Sequence, residues 1–429
     1  MIASERWTRR RLATARRLAQ RSKVPIRDTA WDTGARFVDL VVGLASLALL
    51  ARSIGVADYG LFVGLFGLIG PISNLNQAGV QMAAIEYISR AEEDAEGVFG
   101  SMTAWAMGFG LLAAPAVVLL ADELVAGVPT LAVIAVALQE LVFNAGFSTS
   151  RATVVASVGF GAASRLYIGV GLSRLVLLVG LWFAGITLTR YAIGLFFIYV
   201  VWWLVSLAYL QRVGIGIGWV TPAWRHLRSM LVYGLGLFSS GVQASSDRTV
   251  LTAAGFEREA GAYGAAYRLF ELSRAPLMAL AGATHVELVR GSTAPWDRVR
   301  RTVHLSLVSA AYSVIAAGGL IVISPLLPVL LGEDFSEAST VLRWLAPIAV
   351  LRSTNVFPAN ALVGLGRNGD RTIIQVVIAA LAVTLYVTLI PGRGWEGAVV
   401  ATAIAEAATL VVMWSVVVLR AHQAATIDR

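Results

Sequence analysis

WDTGARFVDLVVGLASLALLA (31–51) and YGLFVGLFGLIGPISNLNQAGVQMAAI (59–85) are two apolar runs of 21 and 27 residues, separated by a short stretch around Gly55. About twenty apolar residues in an α-helix cross a hydrocarbon core of ~30 Å. Backbone groups in lipid must hydrogen-bond internally, so each run reads as a membrane-spanning helix and not as open sheet. Working outward, further runs fall near 99–121, 129–148, 165–186, 190–210, 228–250, 262–284, 302–324, 338–364, 372–391 and 396–419. The pattern predicts an all-α polytopic membrane protein of about twelve spans.

Composition agrees. Of the 429 residues 57% are hydrophobic and only 14% charged, against about 25% charged in soluble domains. With no cysteine there is no disulfide, thiol nucleophile or thiolate metal site, and the four histidines are scattered without metal-ligand spacing. Neither a metal nor another cofactor is expected. The net charge of +8 would suit nucleic acid, but its placement does not. Ten basic residues crowd the first 36, and the loops carry most of the rest: 24 lie on the side shared with the N-terminus, four (Arg52, Arg190, Arg258, Arg393) on the other. That asymmetry is the positive-inside pattern. It predicts a multi-pass protein of the cell membrane with both termini in the cytoplasm.

The chain also repeats. Asp58-Tyr59-Gly60 recurs as Ala262-Tyr263-Gly264, Pro71 as Pro276, and Glu86 with Arg90 as Glu287 with Arg290. The stretches 159–165 and 364–371 correspond, as do Tyr191-Ala192 and Gly397-Ala398, all at offsets near 205. We expect a basic N-terminal segment (1–30), an N-lobe (31–210), a linker (211–227), a C-lobe (228–419) and a short tail (420–429). Six spans per lobe make the insertion parallel, so a pseudo-two-fold along the membrane normal should relate the lobes, with substrate between them.

Polar residues inside spans are costly and mark function by default. In the first span Asp32, Arg36, Asp39, Gly43 and Ser46 share a helix face, and the corresponding face of the seventh carries Gly236, Ser240, Gln243 and Asp247. The eighth span carries Tyr263, Tyr267, Glu271 and Arg274 in a stripe, with Arg268 to one side. In the second, Asn74, Gln77 and Gln81 align. Interhelical hydrogen bonding is the plain alternative for such stripes. Arg174, Arg248, Arg268, Arg274, Arg343 and Arg352 fall within spans, and a guanidinium fork suits phosphate. The substrate-facing set expected in the cavity is Arg36, Asp39, Asn74, Gln77, Gln243, Asp247, Arg248, Tyr263, Tyr267, Arg268, Glu271 and Arg274. Gly60, Gly64, Gly67 and Gly70 before Pro71 suit close helix packing.

LLARSIGVADYGLFVGLFGLIGPISNLNQAGV (49–80) resembles the opening of polysaccharide flippases of the MATE/MOP superfamily, the Wzx- and MurJ-like proteins. SDRTVLTAAGFEREAGAYGAAYRL (246–269) resembles their mid-chain signature, and PLLPVLLGEDFSEASTVLRWLAP (325–347) their C-terminal half. The resemblance implies two six-helix lobes around a cationic cavity, alternating access, and a polyprenyl-diphosphate-linked oligosaccharide as substrate. It implies a transporter and not an enzyme; apart from the resemblance, a coupling ion, H⁺ or Na⁺, is a further partner to expect. A cation or drug antiporter of the same superfamily is the alternative that Asp39, Asp247, Glu140 and Glu406 would suit. A membrane glycosyltransferase or polymerase is another, and would place its carboxylates near Glu333, Asp334 and Glu337.

Overall fold

The computed structural model describes residues 26–90, 93–218, 220–278, 280, 281, 284 and 295–427. The basic segment 1–25 and the repeat partners Glu287 and Arg290 lie outside the described residues, as do the side chains of Asp32 and Arg36.

Among the described residues seven helices are long and apolar enough to cross a membrane. Two of them, Phe37–Ser89 and Asn368–Gln423, run to 53 and 56 residues. Each is folded by a glycine in a conformation closed to other residues: Gly55 at φ 81°, ψ 170°, and Gly394 at φ 54°, ψ −134°. The seven therefore supply nine passes. Three more polar stretches complete twelve: Trp224–Ala253, Glu257–Ser273 with its continuation past Arg274, and a broken helix over 336–364. The last is interrupted near Pro347 and at Asn355. Among the described residues there is no strand. Among the described residues the helices run from Ile26 to Ile427, with a break between Arg212 and Trp224.

Alternate passes define two ends, a basic end near residues 90, 158, 213–223 and 366 and a far end near 55, 127, 185, 255, 332 and 394. All nine glycines with positive φ among the described residues sit at these reversals. Those of the first half recur in the second: Gly55 and Gly255, Gly127 and Gly332, Gly159 and Gly366, Gly185 and Gly394. Their offsets, 200 to 209, bracket the spacing of the sequence repeat.

The second span packs along the seventh and the start of the eighth through a glycine seam. A side chain at Gly60 would collide with the Glu257 carbonyl, one at Gly64 with Thr252, and one at Gly67 with Ser245 and Thr249. Backbones approach closely there because nothing intervenes. Hydroxyls use the proximity: Thr249 donates to the Gly64 carbonyl at 3.0 Å and Ser245 to that of Gly67 at 3.2 Å.

At the far end one apolar core joins both halves, with Leu47, Leu50, Val56, Tyr59 and Val63 packed with Leu251, Tyr263 and Phe335. Tyr59 meets Phe335 edge-on at 5.9 Å. Arg52 reaches across to the Val329 and Leu330 carbonyls. At the basic end the cross-links are polar. Tyr87 bonds Ser229 at 3.1 Å and Tyr233 donates to Glu86. Glu93 receives Arg225 at 2.7 Å and His226 at 3.1 Å. Burial alone would raise the Glu93 carboxyl, but the hydrogen bonds from Arg225 and His226 outweigh it and hold it below the usual carboxylate range.

Candidate functional site: a cavity with arginines on both sides

Two π-helical turns shape the N-half interior. Asn74–Ala78 widens the second span and Gln139–Phe143 the fourth. A π turn inserts a residue into the helical ladder and redirects side chains, commonly at functional positions. The two turns face each other and are stitched by amides. Asn76, without solvent exposure, donates to the carbonyls of Ala106 at 2.9 Å and Leu141 at 3.0 Å. Gln77 donates to the Glu140 carbonyl at 2.8 Å.

Above these turns lies a cavity of about 220 Å³. The first, second, fourth, fifth and sixth spans line it with Ser46, Tyr59, Gln139, Glu140, Arg174, Tyr191 and Tyr199. Arg248 of the seventh span and Arg268 of the eighth close it from the other half. A second cavity of about 210 Å³ shares Phe66 and Glu140 with it and is lined also by Ser73, Asn74 and Ser245. Asp39 borders a small void of about 10 Å³ beside Tyr167, Arg174 and Tyr199.

Three guanidinium groups thus meet one carboxylate, Glu140, on the main cavity. Arg248 is anchored, donating to Asp247 Oδ1 at 3.3 Å and to the Ala244 carbonyl at 2.6 Å, over the Tyr267 ring at 4.5 Å. Arg268 stands against Gly43. Among the described residues neither Arg174 nor Arg268 forms an ion pair or a side-chain hydrogen bond, and Arg174 Nε is buried without a partner. Arg268 is exposed and Arg174 half-buried, so both guanidinium groups are open to the cavity.

The sequence-predicted residues divide. Asp39, Asn74, Arg248 and Arg268 line the connected voids. Gln77 sits just behind, bonded to Glu140. Arg36 belongs to the same face of the first span, but its side chain lies outside the described residues. The others form a separate network inside the C-half. Tyr263 (0% exposed) donates to Asp247 Oδ2 at 2.7 Å and stacks on Tyr267 at 5.8 Å. Gln243 donates to Glu406 at 3.2 Å. Arg352 reaches Tyr267, Glu271 and Glu406, and Asn355 donates to Glu406 at 2.7 Å. Arg274 gives Nη1 to both oxygens of Glu271 at 3.0 Å. Instead of opening on the cavity, the stripe Tyr263–Tyr267–Glu271–Arg274 is engaged within its own half, where Glu271 and Glu406 pair with Arg274 and Arg352, although Arg274 Nε stays buried without a partner. The residue beside the stripe, Arg268, takes the cavity position.

Sequence reasoning left Arg174, Glu140, Gln139, Tyr59, Tyr191 and Tyr199 out of the set. Arg174 carried a signal: no acidic residue lies three or four positions from it, whereas Arg274 has Glu271 at i−3. Arg343, counted among the embedded arginines, is exposed and donates to Ser324 Oγ at 2.8 Å.

No family model matches the sequence, and no curated protein matches it. Solved structures do match the fold. An inward-facing multidrug resistance transporter of the MATE family superposes with TM-score 0.72 at 16% identity, over 90% of this chain and 98% of its own. An outward-facing MATE transporter superposes at 0.62 and 17% identity, over 89% and 94%. The lipid II flippase MurJ, in an inward closed conformation, gives 0.68 at 16%, over 90% and 87%. This chain is a polytopic all-α membrane protein with the fold of the MATE/MOP superfamily transporters.

Proposed function

We propose that this protein moves a polyprenyl-diphosphate-linked oligosaccharide across the cytoplasmic membrane by alternating access, without chemistry on the substrate. The observation that carries this reading is the pair of arginines, Arg174 and Arg268, which line one cavity from different halves together with Arg248 and form no ion pair or side-chain hydrogen bond among the described residues. A diphosphate offers both guanidinium groups acceptors in fork geometry, and charge-assisted bonds of this kind are worth ~1.5–3 kcal/mol each. Tyr59, Tyr191 and Tyr199 line the same space and suit contact with sugar rings and hydroxyls.

The positive-inside asymmetry makes the basic end cytoplasmic. The apolar core at the far end, with Tyr59 on Phe335 and Arg52 on the carbonyls of Val329 and Leu330, then serves as the outer seal. Outward opening breaks those contacts while the cavity arginines keep hold of the diphosphate.

A second reading, cation or drug export, shares the fold, and Glu140 on the cavity wall favours it. Proteoliposomes decide between them. Flipping of a fluorescent diphosphate-linked lipid sugar, with no uptake of a cationic dye, supports the flippase. Dye uptake without lipid flipping overturns it.

A further inference from the structure

The basic end of the C-half carries more positive charge than its acids neutralise. At the N-half rim each paired carboxylate takes one arginine: Glu86 takes Arg90 at 2.8 Å and Glu93 takes Arg225 at 2.7 Å. In the C-half Arg367 and Arg420 converge on a single carboxylate, Asp370, at 3.1 and 2.7 Å. Arg371, next along, forms no ion pair or side-chain hydrogen bond among the described residues, and its Nε is buried without a partner. Arg298 of the ninth span donates to the Gly364 carbonyl at 2.6 Å, and Trp296 meets the His422 ring edge-on at 6.5 Å. These contacts gather the start of the ninth span, the turn before the eleventh and the end of the twelfth into one patch. With exposed Arg300 and Arg301 the patch holds six arginines against two acids, Asp297 and Asp370, among the described residues.

The same passes are apolar on their outer flanks. Leu307, Val377 and Val412 are exposed. They lie six to eight positions inward of Arg301, Arg371 and Arg420, or about 9–12 Å deeper at 1.5 Å per residue. A ligand that meets both zones carries a negative head and apolar tails. Exposed Trp296 stands at the level of the arginines, where an indole suits the headgroup layer. We propose that this patch binds an anionic phospholipid of the surrounding bilayer, its phosphate on the arginines and its acyl chains along the ninth, eleventh and twelfth spans. Basic pockets between helix ends on the cytoplasmic side take such headgroups, and a guanidinium fork matches phosphate geometry. A soluble phosphate would meet the arginines alone and leave the apolar flanks unused. None of these residues lines the substrate cavity, so the site stands whether or not the protein moves a lipid-linked sugar.

Native mass spectrometry of the purified full chain tests it, by counting lipids retained from detergent micelles that hold equimolar phosphatidylglycerol and phosphatidylcholine. Wild type should retain phosphatidylglycerol several-fold over phosphatidylcholine. The double variant Arg367→Gln, Arg371→Gln removes two charges yet leaves Asp370 with Arg420, so no carboxylate is orphaned. Its enrichment should fall several-fold. Arg367→Lys, Arg371→Lys keeps the charge and should retain most of the enrichment, which separates lost binding from misfolding. Arg212→Gln, exposed at the N-half rim, should match wild type. Thermal unfolding in nanodiscs gives a second measure. Adding phosphatidylglycerol to phosphatidylcholine should raise the wild-type midpoint, less so at high salt, and should raise that of the glutamine double variant less. Millimolar glycerol phosphate should neither displace the lipid nor shift the midpoint. Equal retention of the two lipids by wild type, undiminished enrichment in the glutamine double variant, or displacement by glycerol phosphate overturns the proposal.

Discussion

Replacing Asn76 with leucine tests whether the two π turns are held together by amide stitching. The side chain has no exposure and gives two hydrogen bonds, to Ala106 O and Leu141 O at 2.9 and 3.0 Å. Bonds between membrane helices average ~0.6 kcal/mol each, so their direct loss is about 1.2 kcal/mol. The acceptors are not equivalent. Ala106 lies within the helix Ala95–Leu124, where its carbonyl keeps an i+4 donor. Leu141 lies in the π turn, and its carbonyl loses its side-chain donor at a cost of about 1–3 kcal/mol. Against this, Asn76 Oδ1 is itself buried without a partner, so removing it returns about 1 kcal/mol. Leucine nearly preserves the volume, and the net destabilisation is about 1–3 kcal/mol. Denaturant titration in detergent micelles, followed by tryptophan fluorescence, measures it. A variant within about 0.5 kcal/mol of wild type would refute the stitching argument.

Arg274→Ala should act on stability more than on substrate binding, since Arg274 is engaged by Glu271 and does not line the cavity. Glu271 is 37% exposed and keeps Arg352 at 3.5 Å. The loss is therefore about 1–2 kcal/mol, below the ~3–5 kcal/mol of a fully buried broken pair. Thermal melts beside ligand-binding assays separate the two effects, and unchanged stability with lost binding would reverse the assignment. Glu93→Gln should lower the unfolding midpoint at neutral pH. The folded pKa of Glu93 is depressed, so its contribution is full above the unfolded carboxylate value of ~4.3 and fades as pH falls through the folded value. Melts of wild type and variant should draw together as the pH falls through that depressed value; a gap that does not shrink on acidification would contradict the ion-pair account.

The passes were legible because lipid imposes a length of about twenty residues whatever the side-chain detail. Helical periodicity was legible too, but not which neighbour a face meets. Tyr263, Tyr267, Glu271 and Arg274 do share a face, yet the network that claims it includes Arg352 and Glu406, 54 positions apart and on different passes. Only folding brings those partners to Glu271 and Gln243. The Asn74–Gln77–Gln81 alignment is altered for another reason. It assumes 3.6 residues per turn, and the π turn over 74–78 breaks that period. Asn74 faces the cavity, Gln77 binds Glu140 and Gln81 accepts from Arg151 at 2.9 Å. Asn76, off the stripe, is the buried stitch. Nothing in the sequence around Gln139–Phe143 announces a π turn, so Glu140 stood out only as an intramembrane acid.

The most direct measurement of the central claim is binding of a diphosphate-linked lipid sugar to the purified protein in nanodiscs, comparing wild type with Arg174→Ala, Arg268→Ala and Arg212→Ala. One charge-assisted phosphate contact is worth ~1.5–3 kcal/mol, or about 10- to 150-fold in Kd. Arg174→Ala and Arg268→Ala should each weaken binding by that factor, Arg174→Lys should recover only part of it, and exposed Arg212→Ala should leave it unchanged. Wild-type affinity in a well-folded Arg174→Ala, Arg268→Ala double variant would contradict the account.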